Sequence, residues 1–302
     1  MRAVVTGGAG FIGSTLVDTL LVRGDEVHLI DDLSNGSREN VPDEAILHVL
    51  DVRNPLADAL ADVRPEVVYH LAAQVDVRVS VADPVLDART NVLGTVNVLE
   101  LARRHDAQVV FASTGGAIYG ECDTRPARED DERRPLSPYG TSKLAGEEYL
   151  ATWNRLHGTR HVALRLGNVY GPRQDPHGEA GVVAIFLSRI ANGQPATIFG
   201  DGGQTRDYVF AGDVVRAFVA AVGADGGVYN VGTGIETSVL ELWQACTDAA
   251  GVESEVSHDA PRLGELRRSC LDNALAERVL RWRPEIPLLE GLRQTWEWIR
   301  EE

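Results

Sequence analysis

A tyrosine and a lysine with complementary chemistry stand four residues apart near the middle of the sequence. Tyr139 precedes Lys143, which is the only lysine among the 29 Lys and Arg residues of the chain. Residues at this spacing share one face of a helix, and Ser137-Pro138 just before them is a typical helix start. An ammonium beside a phenol stabilises the phenolate and lowers its pKa from the usual value of about 10. The pair predicts a tyrosine that exchanges a proton with a substrate hydroxyl, the alternative being an exposed helical pair without a role.

Two neighbouring hydroxyl residues are further candidates for the chemistry. Ser113 and Thr114 close an apolar run that begins at residue 108. At the carboxyl end of a buried parallel strand, such side chains point into the crevice where ligands bind. Either hydroxyl could bond the reacting group of a substrate, and either could instead cap a turn.

A glycine-rich turn near the start of the sequence predicts dinucleotide binding. Its glycines include Gly7, Gly10 and Gly13, placed between an apolar run and a helical stretch. Glycine is needed where the backbone bends sharply, where it approaches a pyrophosphate and where the helix packs closely on the strand. The helix that begins there points its free N–H groups at the anion.

An acidic residue at the end of the second apolar run supports this interpretation. Asp31 can accept hydrogen bonds from both ribose hydroxyls of a dinucleotide. No basic side chain follows it in Asp32-Leu33-Ser34-Asn35, so NAD is favoured over NADP. Read alone, Asp31 and Asp32 could equally be polar residues at a strand end.

The elements that must position these residues follow from the alternation of β-branched runs with helical stretches. We predict strands at Arg2–Thr6, 26–30, 45–50, 66–70, 108–113 and 160–166, with helices at 12–23 and 90–105. Such repeated strand–helix–strand units predict an α/β fold, a doubly wound parallel Rossmann sheet. We assign residues 1–170 to an NAD-binding Rossmann domain and 171–302 to a smaller α/β substrate-binding lobe, of which 205–232 can pack back onto the first domain. Helices are expected in the second part at 181–191, 213–222 and Leu288–Glu301.

Charge and cysteine content exclude several classes of function. The 302 residues carry a formal net charge of −16, and such a surface repels nucleic-acid backbones and anionic lipid. Cys122, Cys246 and Cys270 form no Cys-x-x-Cys pair, which argues against a structural metal site and against a disulfide framework. With no secretion signal or membrane-spanning run, the expected location is cytoplasmic.

In this combination and order, the features resemble the extended short-chain dehydrogenases/reductases of the NAD-dependent nucleotide-sugar epimerase and dehydratase branch. The resemblance covers essentially the whole chain. Besides the glycine turn, the Ser113 stretch and Tyr139 to Lys143, the matching segments are DDLSNG (31–36), HLAA (70–73), Asn91, LRLGNVYGP (164–172), FGDG (199–202), QTRD (204–207) and PRLGELR (261–267).

The resemblance implies two sets of binding residues. Those expected to contact NAD are Gly7, Gly10, Phe11, Ile12, Gly13, Asp31, Asp32, Asn35, Gly36, Asp51, Val52, Leu71, Ala72, Ala73, Asn91, Tyr139 and Lys143. Those expected to contact the nucleotide sugar are Thr114, Tyr139, Asn168, Val182, Ile198, Phe199, Arg206 and Arg262. Relatives form homodimers through two helices per subunit, for which 90–105 and 139–157 are the candidates here.

The activity implied is inversion of C4 of a UDP-hexose, UDP-glucose or UDP-galactose, through a transient 4-keto intermediate. In that scheme Tyr139 removes the proton of the 4-hydroxyl, and Lys143 lowers the pKa of the phenol and binds the nicotinamide ribose. UDP-glucuronate and UDP-N-acetylglucosamine are alternative substrates. A nucleotide-sugar dehydratase and a non-catalytic NAD-binding regulator are alternative functions.

Three details of the sequence bear on the alternatives and on the site residues. Dehydratases carry an Asp-Glu pair where this chain has Gly116-Ala117, which argues against elimination of water. The hydroxyl residue of many relatives falls at Gly115, so its role is expected to pass to Thr114 or Ser113. The presence of both Tyr139 and Lys143 argues against a regulator.

Overall fold

The central layer of the molecule is a seven-stranded, fully parallel sheet. The computed structural model of the chain describes residues 1–122, 124–176, 181–260 and 266–301. The first six strands are β1 (Arg2–Thr6), β2 (Glu26–Asp31), β3 (Ile46–Val49), β4 (Val67–His70), β5 (Gln108–Thr114) and β6 (Val162–Leu166). They lie in the order β3-β2-β1-β4-β5-β6, and Gly227–Val231 adds the seventh strand beside β6.

Helices cover both faces of the sheet. Those of the first half are α1 (Phe11–Val22), α2 (Val77–Ala82), α3 (Pro84–Ala88), α4 (Gly94–Arg104), α5 (Gly115–Ile118) and α6 (Pro138–His157), with a 3₁₀ turn at Arg38–Asn40 and a π-helical turn at Arg89–Leu93. Adjacent residues of a strand face opposite layers, so Val5 packs with Leu16 of α1 whereas Val4 packs with Leu99 of α4. The prediction of a doubly wound α/β fold is confirmed.

The second part of the chain builds a smaller lobe and also completes the sheet. Its elements are β7 (Asn168–Tyr170), α7 (Val182–Ala191), β8 (Ala196–Phe199), β9 (Thr205–Arg206), β10 (Tyr208–Phe210), α8 (Ala211–Ala220), β11 (Gly227–Val231), β12 (Thr237–Ser238), α9 (Val239–Ala250), β13 (Val256–Asp259), α10 (Ala274–Leu280) and α11 (Leu288–Glu301). The lobe pairs β7 with β10, β9 with β12, and β8 with β13. Its core contains an edge-to-face contact between Phe186 and Trp243. Helix α8 instead packs on α1, and β11 extends the main sheet.

The topology fixes where a ligand can lie. The chain runs outward from β1 to β2 and β3, then returns to place β4 on the other side of β1. Loops after β1 and β4 therefore leave the sheet in opposite directions and open a crevice at their carboxyl ends. The candidate residues of β1, β2, β4 and β5 all lie at this edge.

None of the helices in the described ranges combines the length and the apolar character needed to cross a membrane.

Candidate active site

The turn between β1 and α1 has the geometry of a phosphate cradle. Gly7 adopts a left-handed φ of +70°, and a Cβ at this position would come within 2.7 Å of the backbone nitrogen of Ala72. A Cβ at Gly13 would collide with the carbonyl oxygen of Gly7, so the helix can approach the strand only because both residues are glycine. Helix α1 begins after Gly10, and no described side chain caps it. Its first N–H groups are thus available to an anion, which fits a pyrophosphate.

The carboxylate of Asp31 lies next to this glycine turn. It is 8% exposed, and its Oδ2 and Oδ1 atoms accept hydrogen bonds from the backbone N–H groups of Ala9 (3.0 Å) and Leu33 (2.9 Å). Burial raises the pKa of this carboxyl, which the two N–H groups partly offset. Gly36 packs so closely that a Cβ there would lie 2.9 Å from Asp31 Oδ1. The side chain is therefore held in one orientation at the end of β2.

The other residues predicted to bind NAD differ in how exposed they are. Asp32 and Asn35 are exposed. Asp51 is already bound by Arg53 at 2.6 to 2.9 Å, and this hydrogen bonding lowers the pKa of its carboxyl. Val52 is 6% exposed. Leu71, Ala72 and Ala73 are half-buried after β4, next to the glycine turn.

A buried chain of hydrogen bonds, which was not predicted from the sequence, connects the end of β1 to α4. Thr6 Oγ1 contacts His70 Nδ1 at 2.8 Å, and His70 Nε2 contacts Thr95 Oγ1 at 3.1 Å. Because Thr95 donates its own hydroxyl proton to Asn91 O, it accepts from His70, and Thr6 donates to the other ring nitrogen. Burial and the charge of Lys143 lower the pKa of His70 to about 3, so the ring is neutral at physiological pH. His70 is the first residue of the HLAA segment (70–73), and that segment was the one sequence feature that pointed to this histidine.

Tyr139 and Lys143 lie on α6, as their spacing predicts. The helix begins after Ser137, whose hydroxyl accepts from the Gly140 N–H at 3.1 Å. Tyr139 is half-buried, whereas Lys143 is only 3% exposed. The ammonium donates to Ala112 O at 2.9 Å and lies 4.8 Å from the centroid of the Phe111 ring. Burial lowers the pKa of Lys143 to about 8.

The two candidate hydroxyls have different surroundings. Ser113 Oγ donates to the buried carboxylate of Glu147 at 2.5 Å, so it faces the interior between β5 and α6. Thr114, the next residue, is half-buried. A Cβ built at Gly116 would lie 3.9 Å from Thr114 Oγ1 and 3.7 Å from Asn168 Oδ1, so these two polar groups flank one open space. Thr114 is therefore the better placed of the two hydroxyls.

The resemblance to the family places a hydroxyl residue at the position of Gly115. A Cβ here would collide with the side chain of Leu271, which is 1% exposed. A larger residue at this position would have to displace Leu271 and would point into the interior. Gly115 therefore has no room for a hydroxyl side chain unless Leu271 moves.

Apart from Thr114 and Tyr139, the predicted nucleotide-sugar residues belong to the second part of the chain. Asn168 begins β7, Val182 begins α7, and Phe199 ends β8, all half-buried. Ile198 is 1% exposed in the core of the lobe, so a contact with a base would use its main chain. Arg206 on β9 is half-buried and donates to Thr205 O at 2.8 Å. Arg262 lies outside the described residues.

The chain is similar to known proteins in both sequence and structure. The model of the NAD dependent epimerase/dehydratase family matches residues 3–232. A UDP-glucose 4-epimerase of Mycolicibacterium smegmatis is 49% identical over 99% of both chains. The crystal structure of UDP-glucose 4-epimerase with UDP-glucose from Thermotoga maritima covers 100% of this chain and 99% of its own, at 43% identity and a TM-score of 0.98. The Thermus thermophilus UDP-glucose 4-epimerase in complex with NAD covers 99% of both chains, at 47% identity and a TM-score of 0.93.

Proposed function

Because the chain belongs to the NAD dependent epimerase/dehydratase family, we propose that it interconverts UDP-glucose and UDP-galactose by inverting C4 of the sugar. The observation that supports this most strongly is full-length similarity to UDP-glucose 4-epimerases, at 49% identity in sequence and a TM-score of 0.98 in structure. The proposal is also supported by Tyr139 and Lys143, which lie on one helix and can supply the proton chemistry that such an inversion requires.

The proton chemistry falls to residues at the carboxyl end of β5 and on α6. Tyr139, as the phenolate, accepts the proton of the 4-hydroxyl and returns it after inversion. The charged Lys143 one helical turn later stabilises that phenolate. Thr114 is placed to hydrogen-bond the same sugar oxygen, because it borders the open space beside Gly116. When bound, NAD supplies the acceptor for the hydride of C4, and its reduced form supplies the hydride that returns to C4.

Inversion also requires the 4-keto sugar to present its other face to the same groups. Tight contacts to the sugar ring would oppose that rotation, whereas firm binding of the uridine diphosphate does not. We assign the diphosphate to Asn168, Val182, Arg206 and Arg262. Local arginines are needed because the chain carries a net charge of −16 and repels an anionic ligand over most of its surface.

The test is incubation of the pure protein with UDP-glucose, UDP-glucuronate and UDP-N-acetylglucosamine in separate reactions, followed by NMR. We expect the C4-inverted product from UDP-glucose. Inversion of only one of the other two sugars would reassign the substrate. A 4-keto-6-deoxy product would identify a dehydratase, and bound NAD without turnover of any sugar would identify a regulator.

We also propose that the enzyme acts as a homodimer in the cytoplasm. Helices α4 and α6 pack side by side on one face of the sheet. The side chains of Leu93, just before α4, and of Tyr149 and Leu156 on α6 are 46%, 38% and 69% exposed. Tyr149 makes an edge contact with Trp153. A second copy that packs on these helices would cover this apolar surface. The three free cysteines suit a reducing compartment.

A further inference from the structure

The ammonium of Lys143 is buried in surroundings that do not by themselves favour a charge. The side chain is 3% exposed, and its ammonium contacts the carbonyl of Ala112 and the ring of Phe111, both neutral groups. Burial of a cation without an opposite charge favours the neutral amine. The proposed chemistry requires the charged form, because a neutral amine does not stabilise a phenolate.

A buried carboxylate lies on a different helix that packs against the helix of Lys143. Asp87 lies on α3, which packs against α6, and it is 1% exposed. Its Oδ1 atom accepts hydrogen bonds from Gln74 Nε2 and Asn91 Nδ2, each at 3.0 Å. The negative charge of Asp87 raises the pKa of Lys143 and so opposes the larger, lowering effect of burial.

The hydrogen bonds around Asp87 connect it to the lysine helix. Asn91 Nδ2 also contacts Ser142 Oγ at 3.1 Å, and Ser142 directly precedes Lys143 in α6. Asn91 Oδ1 accepts from the Gln74 N–H at 2.8 Å. The carboxylate is thus held by two amides, one of which also binds α6, so its position relative to α6 is fixed.

The other titratable groups on the elements around Lys143 do not supply a compensating charge. His70 on β4 is neutral because burial and the charge of Lys143 lower its pKa to about 3. Glu147, one turn further along α6, is bound by Arg165 at 2.7 Å. Tyr139, one turn earlier, is the group that the lysine is there to activate. Among the described residues, this leaves Asp87 as the carboxylate whose charge acts on Lys143.

We propose that Asp87 is a positioning residue that keeps the ammonium of Lys143 charged beside Tyr139, with Gln74 and Asn91 holding its carboxylate in place. The catalytic consequence rests on the proposed function, since it matters only if Tyr139 and Lys143 act on a substrate. The electrostatic part does not depend on turnover and can be measured by itself.

The sequence offers an unusually direct readout, because Lys143 is the only lysine. Protein grown with ¹³C-labelled lysine gives one Cε–Hε correlation in an NMR spectrum, and its shift against pH reports the protonation of this side chain alone. In the protein without added NAD, we expect a wild-type midpoint near the pKa of about 8. In Asp87→Asn, which keeps the shape and the Oδ1 acceptor, we expect the midpoint to fall by about one pH unit.

A matched control is available on the same helix. Asp83 lies one turn before Asp87, is exposed, and caps α3 by accepting the Leu86 N–H at 2.9 Å. Asp83→Asn removes the same charge but keeps a capping side chain, and solvent screens its effect on the lysine. We expect this variant to leave the Lys143 midpoint unchanged. Equal midpoints in the wild type and Asp87→Asn, or equal shifts in both variants, would overturn the proposal.

The pH dependence of turnover separates this role from a structural one. If the Lys143 midpoint falls by one unit, the alkaline limb of the kcat profile moves with it, and kcat at pH 8 drops by about fivefold relative to pH 6. A purely structural defect would lower kcat by the same factor at both pH values. If the wild type turns over no UDP-sugar but Asp87→Asn still shifts the midpoint, the proposed function fails and the present inference stands.

A second variant covers the case in which Asp87→Asn does not fold. Lys143→Met removes the buried charge that Asp87 is proposed to balance, so the double variant Asp87→Asn/Lys143→Met should regain a cooperative thermal transition. Failure of both variants to fold would show that Asp87 acts only through its bonds to Gln74 and Asn91, and would contradict the proposal.

Discussion

At the residue scale, the proposed chemistry depends on the ammonium of Lys143, whose charged form is disfavoured by burial in the folded protein. Lys143 has neutral contacts and a lowered pKa of about 8, yet it lies one helical turn from Tyr139. We expect Lys143→Ala to lower kcat by about 10²- to 10⁴-fold, the range of a lost proton-transfer aid. Turnover assays alongside circular dichroism measure both effects. Wild-type activity in a folded variant would remove Lys143 from the mechanism.

The two adjacent hydroxyls should respond differently to removal. Thr114→Val deletes the hydroxyl that borders the open space beside Gly116, and we expect kcat to fall by about 10- to 100-fold with stability unchanged. Ser113→Ala leaves Glu147 without one of its donors, so we expect a loss of about 1 to 3 kcal/mol in the free energy of unfolding. Initial rates and urea denaturation compare the variants. A larger catalytic loss in Ser113→Ala would reverse the assignment.

Sequence reasoning found those residues whose partners are close in the chain. Tyr139 and Lys143 were recognisable because a helix brings positions four apart together. Ser113 and Thr114 could not be separated, because the direction of each side chain depends on strand register and on what packs behind it. Asp87 and Gln74 carried no signal, because their link to Lys143 arises only when α3 packs on α6.

At the element scale, a buried ion pair joins the strands and the helix that carry the site. Arg165 of β6 contacts Glu147 of α6 at 2.7 Å, with side-chain exposures of 1% and 2%. Arg165 also donates to Tyr119 Oη at 2.7 Å, and Tyr119 in turn donates to Asn230 Oδ1 on β11 at 2.8 Å. The network therefore holds α6 against β5, β6 and β11.

Removing one partner of this pair should be costly. Arg165→Met leaves the Glu147 carboxylate buried without its cation, and we expect the free energy of unfolding to fall by about 3 to 5 kcal/mol. The control is Arg134→Met, which breaks an ion pair with Glu132 whose side chains are 72% and 68% exposed. That pair should contribute at most about 1 kcal/mol. Equal denaturation midpoints in the two variants would contradict the account.

The helices and strands could be predicted from the sequence because apolar runs indicate the strands and helical periodicity indicates the helices. Strand β1 and helix α11 have the predicted bounds, and the others differ by a few residues at their ends. The helix expected at 90–105 is regular only from Gly94, because a π-helical turn at Arg89–Leu93 precedes it. That turn contains Asn91, whose amide contacts Asp87 and Ser142. No periodicity of side chains indicates such a change of backbone pitch.

At the scale of the whole molecule, the apolar surface of α4 and α6 makes the proposed dimer testable. Leu156→Glu places a charge on this surface, and we expect the sedimentation coefficient to shift from dimer to monomer. Val22→Glu is the control, because Val22 is 91% exposed at the end of α1, on the opposite face of the sheet. A monomeric wild type, or a Leu156→Glu variant that remains dimeric, would refute this interface.

The net charge of the chain bears on where an anionic ligand could bind. From the sequence it argued against nucleic acid as a partner, and the arginines of the second lobe were expected on the basis of resemblance. Arg206 lies on β9 of that lobe, whereas Arg262 falls outside the described residues. How the second part of the chain joins the sheet depends on contacts distant in sequence, such as β11 beside β6, which composition does not encode.

In the proposed reaction, the hydrogen at C4 leaves the sugar and returns to its opposite face within one active site. The most direct test is incubation of pure protein with UDP-glucose deuterated at C4, in ordinary water, with NMR and mass analysis of the product. We predict UDP-galactose that keeps its deuterium at C4, and no product from Tyr139→Phe. Loss of the deuterium to solvent, or a product whose C4 is not inverted, would contradict the account.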